Sequence, residues 1–184
     1  IHVMAAGLDK GQPFNNTIHT KTGIAILAVS ESSLKPTLTL AEHLPGSNLY
    51  SSVESIFTDT IPSIATFLKE HFNRFEAFVF VGSLGICVRS IAPFITDKHT
   101  DPAIVNIDST GKYIVSVLSG HIGGANSLTK QIARITGGQA VITTQSDNTD
   151  LWALDTLGKT YQWKETVHNA TMNKLIASFV NKNP

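Results

Sequence analysis

A histidine between glycines is the feature of this sequence with the clearest chemical potential. Ser119, Gly120 and His121 are followed by Gly123 and Gly124, after an apolar run that predicts a strand and before a pattern that predicts a helix. An imidazole exchanges protons near neutral pH, and it neither packs well nor starts a helix well. His121 is therefore a candidate functional residue that could exchange protons. The alternative is a ring that only hydrogen-bonds a neighbouring carbonyl.

The glycines of this loop allow two interpretations. If the helix that begins near Gly124 exposes its first N–H groups, the loop is a site for a phosphate or a carboxylate. The first turns of that helix contain no acidic residue that would occupy the site. Alternatively, Gly123 and Gly124 only allow the helix to pack closely on the sheet.

Two further loops that follow predicted strands carry polar residues. Because ligands of open α/β sheets bind outside the carboxyl ends of the strands, we expect both loops to meet His121 at one edge of the sheet. One loop follows Val81 and the other follows Thr143, and their candidate residues are Gly82, Ser83, Gly85, Arg89, Thr144 and Asp147.

The charged members of these loops have structural alternatives. Arg89 could hold a carboxylate with its bidentate guanidinium group, or it could be a surface residue or pair with Asp97 or Asp101. Asp147 could orient His121 or act on the substrate. It could also be an acidic residue in the first turn of a following helix, where its negative charge would interact favourably with the positive end of the helix dipole.

Short apolar runs alternate with helical patterns along the chain. This alternation is typical of a mostly parallel sheet covered by helices, so we predict an α/β fold of three layers. The apolar character of several runs fits strands that are buried on both faces. The predicted strands are 24–29, 77–81, 103–107, 113–118 and 140–143, and the predicted helices are 34–44, 62–72, 84–91, 125–135, 149–157 and 164–184.

One connection between predicted strands is too short for a crossover helix. The segment Asp108-Ser109-Thr110-Gly111 lies between two of them and has the composition of a tight turn. It predicts a hairpin, and therefore one antiparallel pair in the sheet.

The composition argues against several classes of partner. Lys plus Arg and Asp plus Glu both number 14, so the chain has no net field that would hold a nucleic acid. No stretch reaches the roughly 20 apolar residues that cross a bilayer, so no membrane association is expected.

The single cysteine, Cys87, fits a reducing cytoplasm, and we predict that it is a buried small hydrophobe. The seven histidines lack the spacing of a zinc site, so no metal held by the protein is expected.

Common phosphate and nucleophile fingerprints do not fit. Residues 120–124 are not G-x-G-x-x-G, and residues 82–85 are not the G-x-S-x-G elbow. A phosphate-ligand or nucleotide-binding α/β module that uses the loop 120–126 stays as an alternative.

Four motifs in a fixed order resemble one known family. They are V-R-S-I-A-P at 88–93, K-x-x-D-P at 98–102, S-G-H-x-G-G-A-N at 119–126 and V-I-T-T at 141–144. This combination is similar to the N-terminal domain of the CbiG family, the cobalt-precorrin-5A hydrolases of anaerobic cobalamin biosynthesis. The likeness is strong over residues 76–157 and looser over 21–75.

The resemblance implies a substrate and a reaction. Such enzymes open the δ-lactone of a cobalt tetrapyrrole and release acetaldehyde during corrin ring contraction, and the cobalt is carried by the substrate, so no separate cofactor is expected. We expect catalytic roles for His121, Asp147 and Ser83, with His121 as base and N–H groups near Gly123 and Gly124 as oxyanion donors. The expected substrate-binding residues are Gly82, Gly85, Arg89, Lys98, Ser119, Gly120, Gly123, Gly124, Asn126 and Thr144.

The resemblance also suggests how the chain is divided. Complete family members continue into a middle region and a C-terminal domain. We therefore expect a leader or fusion remnant at 1–20, the CbiG N-terminal-type domain at 21–160 and, at 161–184, a helix that starts a middle region. The expected partners are cobalt-precorrin-5A and possible further domains or enzymes of cobalamin biosynthesis, in the cytoplasm. The alternative function is a corrinoid-binding or scaffolding domain without chemistry of its own.

Overall fold

The computed structural model describes residues 21, 23–55, 58–144, 161 and 169–182. The described strands are β1 (Ile24–Ala28), β2 (Ser47–Ser51), β3 (Asp59–Thr60), β4 (Ala77–Val81), β5 (Ala103–Ile107), β6 (Tyr113–Leu118) and β7 (Gln139–Val141). The described α-helices are α1 (Leu34–His43), α2 (Ile64–His71), α3 (Leu84–Ile91), α4 (Ala125–Thr136) and α5 (Asn169–Lys182), with 3-10 turns at Glu31–Ser33 and Ala92–Phe94.

The seven strands form one sheet in the order β3-β2-β1-β4-β5-β6-β7. The first five strands run parallel to one another. Strand β6 runs antiparallel to β5, and β7 runs parallel to β6. The sheet is therefore mostly parallel with one antiparallel pair, and the prediction of an α/β fold is confirmed.

Helices cover both faces of the sheet because successive strand residues point to opposite sides. On one face, Phe78 and Phe80 of β4 pack in a cluster with α2 and α3. On the other face, Val79 and Val81 pack in a second cluster that includes residues of α1 and α4. All five residues of β4 are buried, which explains its continuous apolar sequence. The three predicted layers are present.

Local sequence signals set the ends of two of these helices. The hydroxyl of Ser63 accepts a hydrogen bond from the Thr66 N–H at 3.1 Å and so caps α2. Helix α4 ends at Gly137, whose φ of 71° lies in the left-handed region that commonly terminates helices. The apolar stripe of α4, which includes Leu128 and Ile132, faces the second cluster.

The hairpin between β5 and β6 is built around one carboxylate. The Gly111 N–H donates to the Asp108 carbonyl at 2.9 Å. The Asp108 side chain accepts from the N–H groups of Thr110 at 3.0 Å and Tyr113 at 2.6 Å. Burial alone would raise the pKa of Asp108, but the hydrogen bonds from Thr110, Tyr113 and Lys112 outweigh it and lower the pKa.

Most predicted elements are found within two or three residues of the predicted ends. Four of the five predicted strands keep their positions almost unchanged, and the last is observed as β7 at Gln139–Val141. The final predicted helix is observed as α5. The sequence reasoning missed β2 and β3, and the predicted helix at 149–157 lies outside the described residues. The proposed division at residues 20 and 160 stays a prediction. None of the helices in the described residues is long and apolar enough to cross a membrane.

Candidate functional site

The predicted loops lie at two opposite edges of the sheet. Because β6 runs against β5, Leu118 at the end of β6 pairs with Ile104 near the start of β5. At the other end, the Gly82 N–H donates to the Ile107 carbonyl at the end of β5, at 2.7 Å. Strands of five residues separate these two ends by about 17 Å. The expectation that all three loops share one edge is therefore wrong.

The reason for this error is the hairpin at residues 108–111. It reverses the chain, so that the carboxyl ends of β6 and β7 meet the amino ends of β4 and β5. We call that side the His121 edge, and the side where β1, β4 and β5 end the Gly82 edge. The expected site residues that lie at the Gly82 edge, and so do not share a site with His121, are Gly82, Ser83, Gly85 and Arg89.

The residues of the Gly82 edge differ in exposure. Gly82 is buried, whereas Ser83, Gly85 and Arg89 are exposed on or before α3. Within the described residues, Arg89 forms no ion pair with Asp97 or Asp101. Their roles in catalysis or binding stay predictions, but these residues cannot act in the same site as His121, because they lie at the opposite edge of the sheet.

The His121 edge is the carboxyl end of a local βαβ unit. Strands β6 and β7 are parallel neighbours, and α4 connects them. The rule that ligands bind outside the carboxyl ends of parallel strands therefore applies to this unit by itself. His121 and Thr144 follow its two strands, so the sequence correctly predicted that these two residues lie at the same edge. Asp147, its predicted companion, lies outside the described residues.

Asn126 ties the parts of this unit together. It is only 5% exposed, its carbonyl oxygen accepts from the Ser116 hydroxyl at 2.7 Å, and its amide nitrogen donates to the Thr144 hydroxyl at 3.0 Å. Buried polar groups with two such partners hold elements in register. The structure thus gives Asn126 a positioning role that the sequence did not predict, while direct contact with a substrate stays a prediction.

Two glycines of the loop are required by its internal packing. A Cβ at Gly123 would lie 2.5 Å from the Ser119 Cβ and 2.8 Å from the Ser119 carbonyl oxygen. A Cβ at Gly120 would lie 2.7 Å from the Asn126 Oδ1. Both contacts are too short for a real side chain, so the loop folds tightly on itself. Ser119 itself has a φ of 56°, unusual for a residue other than glycine.

The start of α4 is less open to an anion than the sequence suggested. Gly124 has a φ of 87°, and its N–H donates to the His121 carbonyl at 3.1 Å. The N–H groups of Ala125 and Asn126 donate to the carbonyls of Ser119 and Gly120 at 3.2 and 3.0 Å. The expectation that these first amides face a ligand is therefore wrong, and Gly124 is not placed as an oxyanion donor.

His121 itself is partly exposed. The residue is therefore not sealed in the packed interior, which is compatible with general-base chemistry. The carbonyls of Gly120 and His121 both accept backbone hydrogen bonds, so the backbone that carries the imidazole is held by the loop.

A second loop forms the neighbouring wall of this edge. The buried carboxylate of Asp101 accepts from the Thr96 N–H at 3.0 Å, the Thr96 hydroxyl at 2.8 Å and the Asp97 N–H at 3.1 Å. The Asp101 carbonyl accepts from the Ser119 hydroxyl at 3.2 Å. Exposed Lys98 lies in this loop, so it shares the edge with His121 as a candidate contact for carboxylates.

Asp101 was not predicted as a site residue, although it lies within the K-x-x-D-P motif. Lys21 also reaches this loop, because its Nζ donates to the Thr100 carbonyl. Burial lowers the pKa of Lys21, and the charges of Asp101 and Glu76 oppose that effect. The loop at 96–101 is therefore held from inside by a carboxylate and from outside by a lysine.

Cys87 takes no part in either edge. It is fully buried in α3, and burial raises the pKa of its thiol to about 12. The prediction of a buried small hydrophobe is confirmed.

The fold and the His121 edge together define an open α/β domain with a candidate ligand site on a local βαβ unit. Residues 66–147 match the family described as Cobalamin synthesis G N-terminal. The chain is 47% identical over 89 residues to the cobalt-precorrin-5A hydrolase of Salmonella typhimurium and 43% identical over 121 residues to that of Priestia megaterium. These alignments cover 48% and 65% of this chain but only 25% and 32% of the two relatives.

A solved structure supports the same fold. The chain is similar to the crystal structure of a cobalamin biosynthesis protein G homologue from Sulfolobus solfataricus, with a TM-score of 0.55 and 22% identity. The likeness covers 90% of this chain and 49% of that chain. Over residues 66–147, the chain is therefore similar to the N-terminal domain of the CbiG family, and it spans a quarter to a third of the length of the curated relatives that it matches.

Proposed function

We propose that this domain binds cobalt-precorrin-5A and takes part in its hydrolysis at the His121 edge. The observation that carries the proposal is the partly exposed His121, fixed in a tight loop at the carboxyl end of a βαβ unit. Support also comes from the relatives, which are named cobalt-precorrin-5A hydrolases. Because the aligned regions span a quarter to a third of those relatives, the activity of the whole enzyme is part of the proposal.

In the proposed first step, His121 acts as a general base. It takes a proton from water as the water oxygen attacks the carbonyl carbon of the δ-lactone. The bond between that carbon and the ring oxygen then breaks, the imidazolium gives its proton to the departing oxygen, which becomes a hydroxyl group, and the new carboxylic acid loses its proton to solvent. The oxyanion formed on the way needs hydrogen-bond donors, and Gly123 is the proposed backbone donor because the Gly124 N–H is engaged within the loop.

In the proposed second step, a carbon–carbon bond breaks. The freed hydroxyl loses its proton, its carbon becomes the carbonyl carbon of acetaldehyde, and the bonding electron pair passes into the conjugated macrocycle. His121, having passed on its first proton, accepts this one. The cobalt belongs to the substrate and is not assigned a protein ligand.

The remaining polar groups of this edge are proposed to bind the substrate. Lys98 would form an ion pair with a peripheral carboxylate of the substrate. The Thr144 hydroxyl would form a hydrogen bond with a polar group at the rim of the macrocycle. Ser119 and Gly120 shape the loop that carries His121. A cytoplasmic location and contact with further domains or enzymes of cobalamin biosynthesis belong to the same proposal, with the lone cysteine in support of the former.

The proposal is tested by mixing the purified chain with cobalt-precorrin-5A and measuring acetaldehyde. The H121Q variant should release acetaldehyde about 10²- to 10⁴-fold more slowly than the unsubstituted chain, because it lacks the general base. H43Q is the matched control, since His43 is exposed on α1 and should leave the rate unchanged.

Normal release by H121Q would overturn the role of His121. Binding of cobalt-precorrin-5A without any acetaldehyde would overturn catalysis by this chain and would favour a corrinoid-binding domain without chemistry of its own. Tight binding of a nucleotide and none of a corrinoid would instead support a phosphate-ligand module, although the engaged amides at the start of α4 weigh against it.

A further inference from the structure

An open cleft lies between the end of α2 and the 3-10 turn that follows α3. It has a volume of about 450 Å³, and its lining includes Phe72, Phe94, Lys69, Arg74 and Thr96. None of these five residues was expected to take part in function. The cleft is separate from the His121 loop but lies at the same edge of the sheet, because α2 ends where β4 begins.

The floor of the cleft is aromatic and fixed. Phe72 is 3% exposed and stacks on Phe78 with ring centroids 5.8 Å apart and an interplanar angle of 13°. Phe94 also packs against Phe72, with ring centroids 5.7 Å apart. Such a surface offers contact to an apolar chain or a flat ring without having to rearrange.

The rim of the cleft is cationic. Lys69 and Arg74 are exposed, and within the described residues neither side chain forms an ion pair or a hydrogen bond. The one acidic lining residue, Glu70, lies 3.8 Å from His71. The Arg74 backbone is fixed by its N–H, which donates to the His71 carbonyl at 2.8 Å. The cleft therefore combines an apolar floor with two positive charges that form no ion pair within the described residues.

A chain of hydrogen bonds connects the cleft to the His121 loop. Thr96 lines the cleft and binds the Asp101 carboxylate through both its N–H and its hydroxyl. The Asp101 carbonyl in turn accepts from Ser119, two positions before His121. One wall of the cleft is thus continuous with the loop that carries the histidine.

We infer that this cleft binds a carboxylate-bearing arm of the macrocycle on which His121 acts. The methylene groups of the arm would lie against Phe72 and Phe94, and its carboxylate would pair with Arg74 and Lys69. A guanidinium group suits this task because it binds a carboxylate with two parallel hydrogen bonds. The inference rests on the proposed function for the identity of the ligand, but the carboxylate chemistry follows from the cleft itself.

The test compares variants of the full chain in binding and in turnover. The R74Q variant should bind cobalt-precorrin-5A at least about tenfold more weakly, and K69Q/R74Q more weakly still, because charge-assisted hydrogen bonds are lost. The rate of acetaldehyde release at saturation should change little. R134Q is the matched control, since Arg134 is exposed near the end of α4 at the opposite edge, and it should bind as the unsubstituted chain does.

A second probe separates failure of this inference from failure of the proposed function. Uroporphyrin, a porphyrin with eight carboxylate arms, is titrated in parallel with its fully esterified form. If the unsubstituted chain does not bind cobalt-precorrin-5A but binds uroporphyrin in a manner that depends on Arg74, the proposed function is overturned and the cleft inference is supported. If R74Q and K69Q/R74Q bind both probes as R134Q does, or if the ester binds as well as the acid, the cleft inference is overturned.

Discussion

The amide nitrogen of Asn126 lies 3.0 Å from the hydroxyl oxygen of Thr144, although 18 positions separate the two residues in the sequence. This hydrogen bond joins the first turn of α4 to the segment after β7. The carbonyl oxygen of the same side chain accepts a hydrogen bond from the Ser116 hydroxyl on β6. A single buried side chain therefore fixes the relative position of three parts of the His121 edge.

A double-mutant cycle measures this connection. N126A should lower the free energy of unfolding by about 2 kcal/mol, because it leaves buried polar partners without a hydrogen bond, and T144V should cost about 1 kcal/mol. The double variant should cost less than the sum, with a coupling of about 1 kcal/mol in urea unfolding. Strict additivity would show that the hydrogen bond does not contribute in solution.

Gly123 and Gly85 should respond in opposite ways to the same substitution. G123A forces a methyl group to within 2.5 Å of the Ser119 Cβ, so it should destabilise the chain and reduce any acetaldehyde release. G85A adds a methyl group at an exposed position of α3 with ordinary contacts, and it should stabilise the chain by roughly 0.5–1 kcal/mol. Thermal unfolding of both variants checks the pair, and a neutral G123A would contradict the tight loop.

Asn106 should be important for the Gly82 edge. It is 3% exposed, and its amide nitrogen donates to the carbonyls of Phe80 and Gly82 at 3.2 and 3.1 Å. N106V should lower the free energy of unfolding by about 2–3 kcal/mol, because it removes both hydrogen bonds in a buried site. The matched control is N48V, at an exposed position of β2, which should stay within about 0.5 kcal/mol of the unsubstituted chain in urea unfolding.

Cys87 should be unreactive in the folded chain. Since its pKa is raised from 9.0 to about 12, the folded state favours the protonated thiol. The stability that this burial contributes is therefore complete below pH 9 and falls as the pH rises from there towards about 12. Iodoacetamide should label the unfolded chain but not the native one, by mass spectrometry. The alkaline loss of stability should be smaller in C87A, and an identical pH profile would contradict the assignment.

Asp108 should show the opposite dependence on pH. Its pKa is lowered, so its contribution to stability is present above the unfolded value near 3.8 and is lost as the pH falls through the lower folded value. D108N should cost about 1 kcal/mol at neutral pH, through a weakened hairpin turn. The difference between the two chains in free energy of unfolding should shrink on acidification, and a constant difference would exclude this role of the charge.

Much of the fold could be predicted because the inner strands are buried on both faces. Strands such as β4 and β5 are apolar over nearly their whole length, which separates them clearly from the amphipathic helices. Strand β2 was missed since Ser47–Ser51 is largely polar and half-exposed, and β3 has only two residues. Neither carries the apolar run by which the other strands were recognised.

The site was predicted less well because its arrangement depends on strand direction. The hairpin at Asp108–Gly111 was predicted correctly, yet its consequence, that β6 and β7 point the other way, was not drawn. That consequence was available from the sequence. The cleft could not be predicted from the sequence, because Lys69, Arg74 and Phe94 form no motif. They are brought together only by the packing of α2 against α3.

The two outermost strands of the described sheet, β3 and β7, have only two and three residues. Exposed backbone groups on long flat edge strands can recruit strands of other molecules and seed aggregation, whereas short ones offer a poor template. These two edges of the described sheet should therefore resist addition of a strand from another molecule, and self-association through them should involve side chains rather than shared backbone hydrogen bonds.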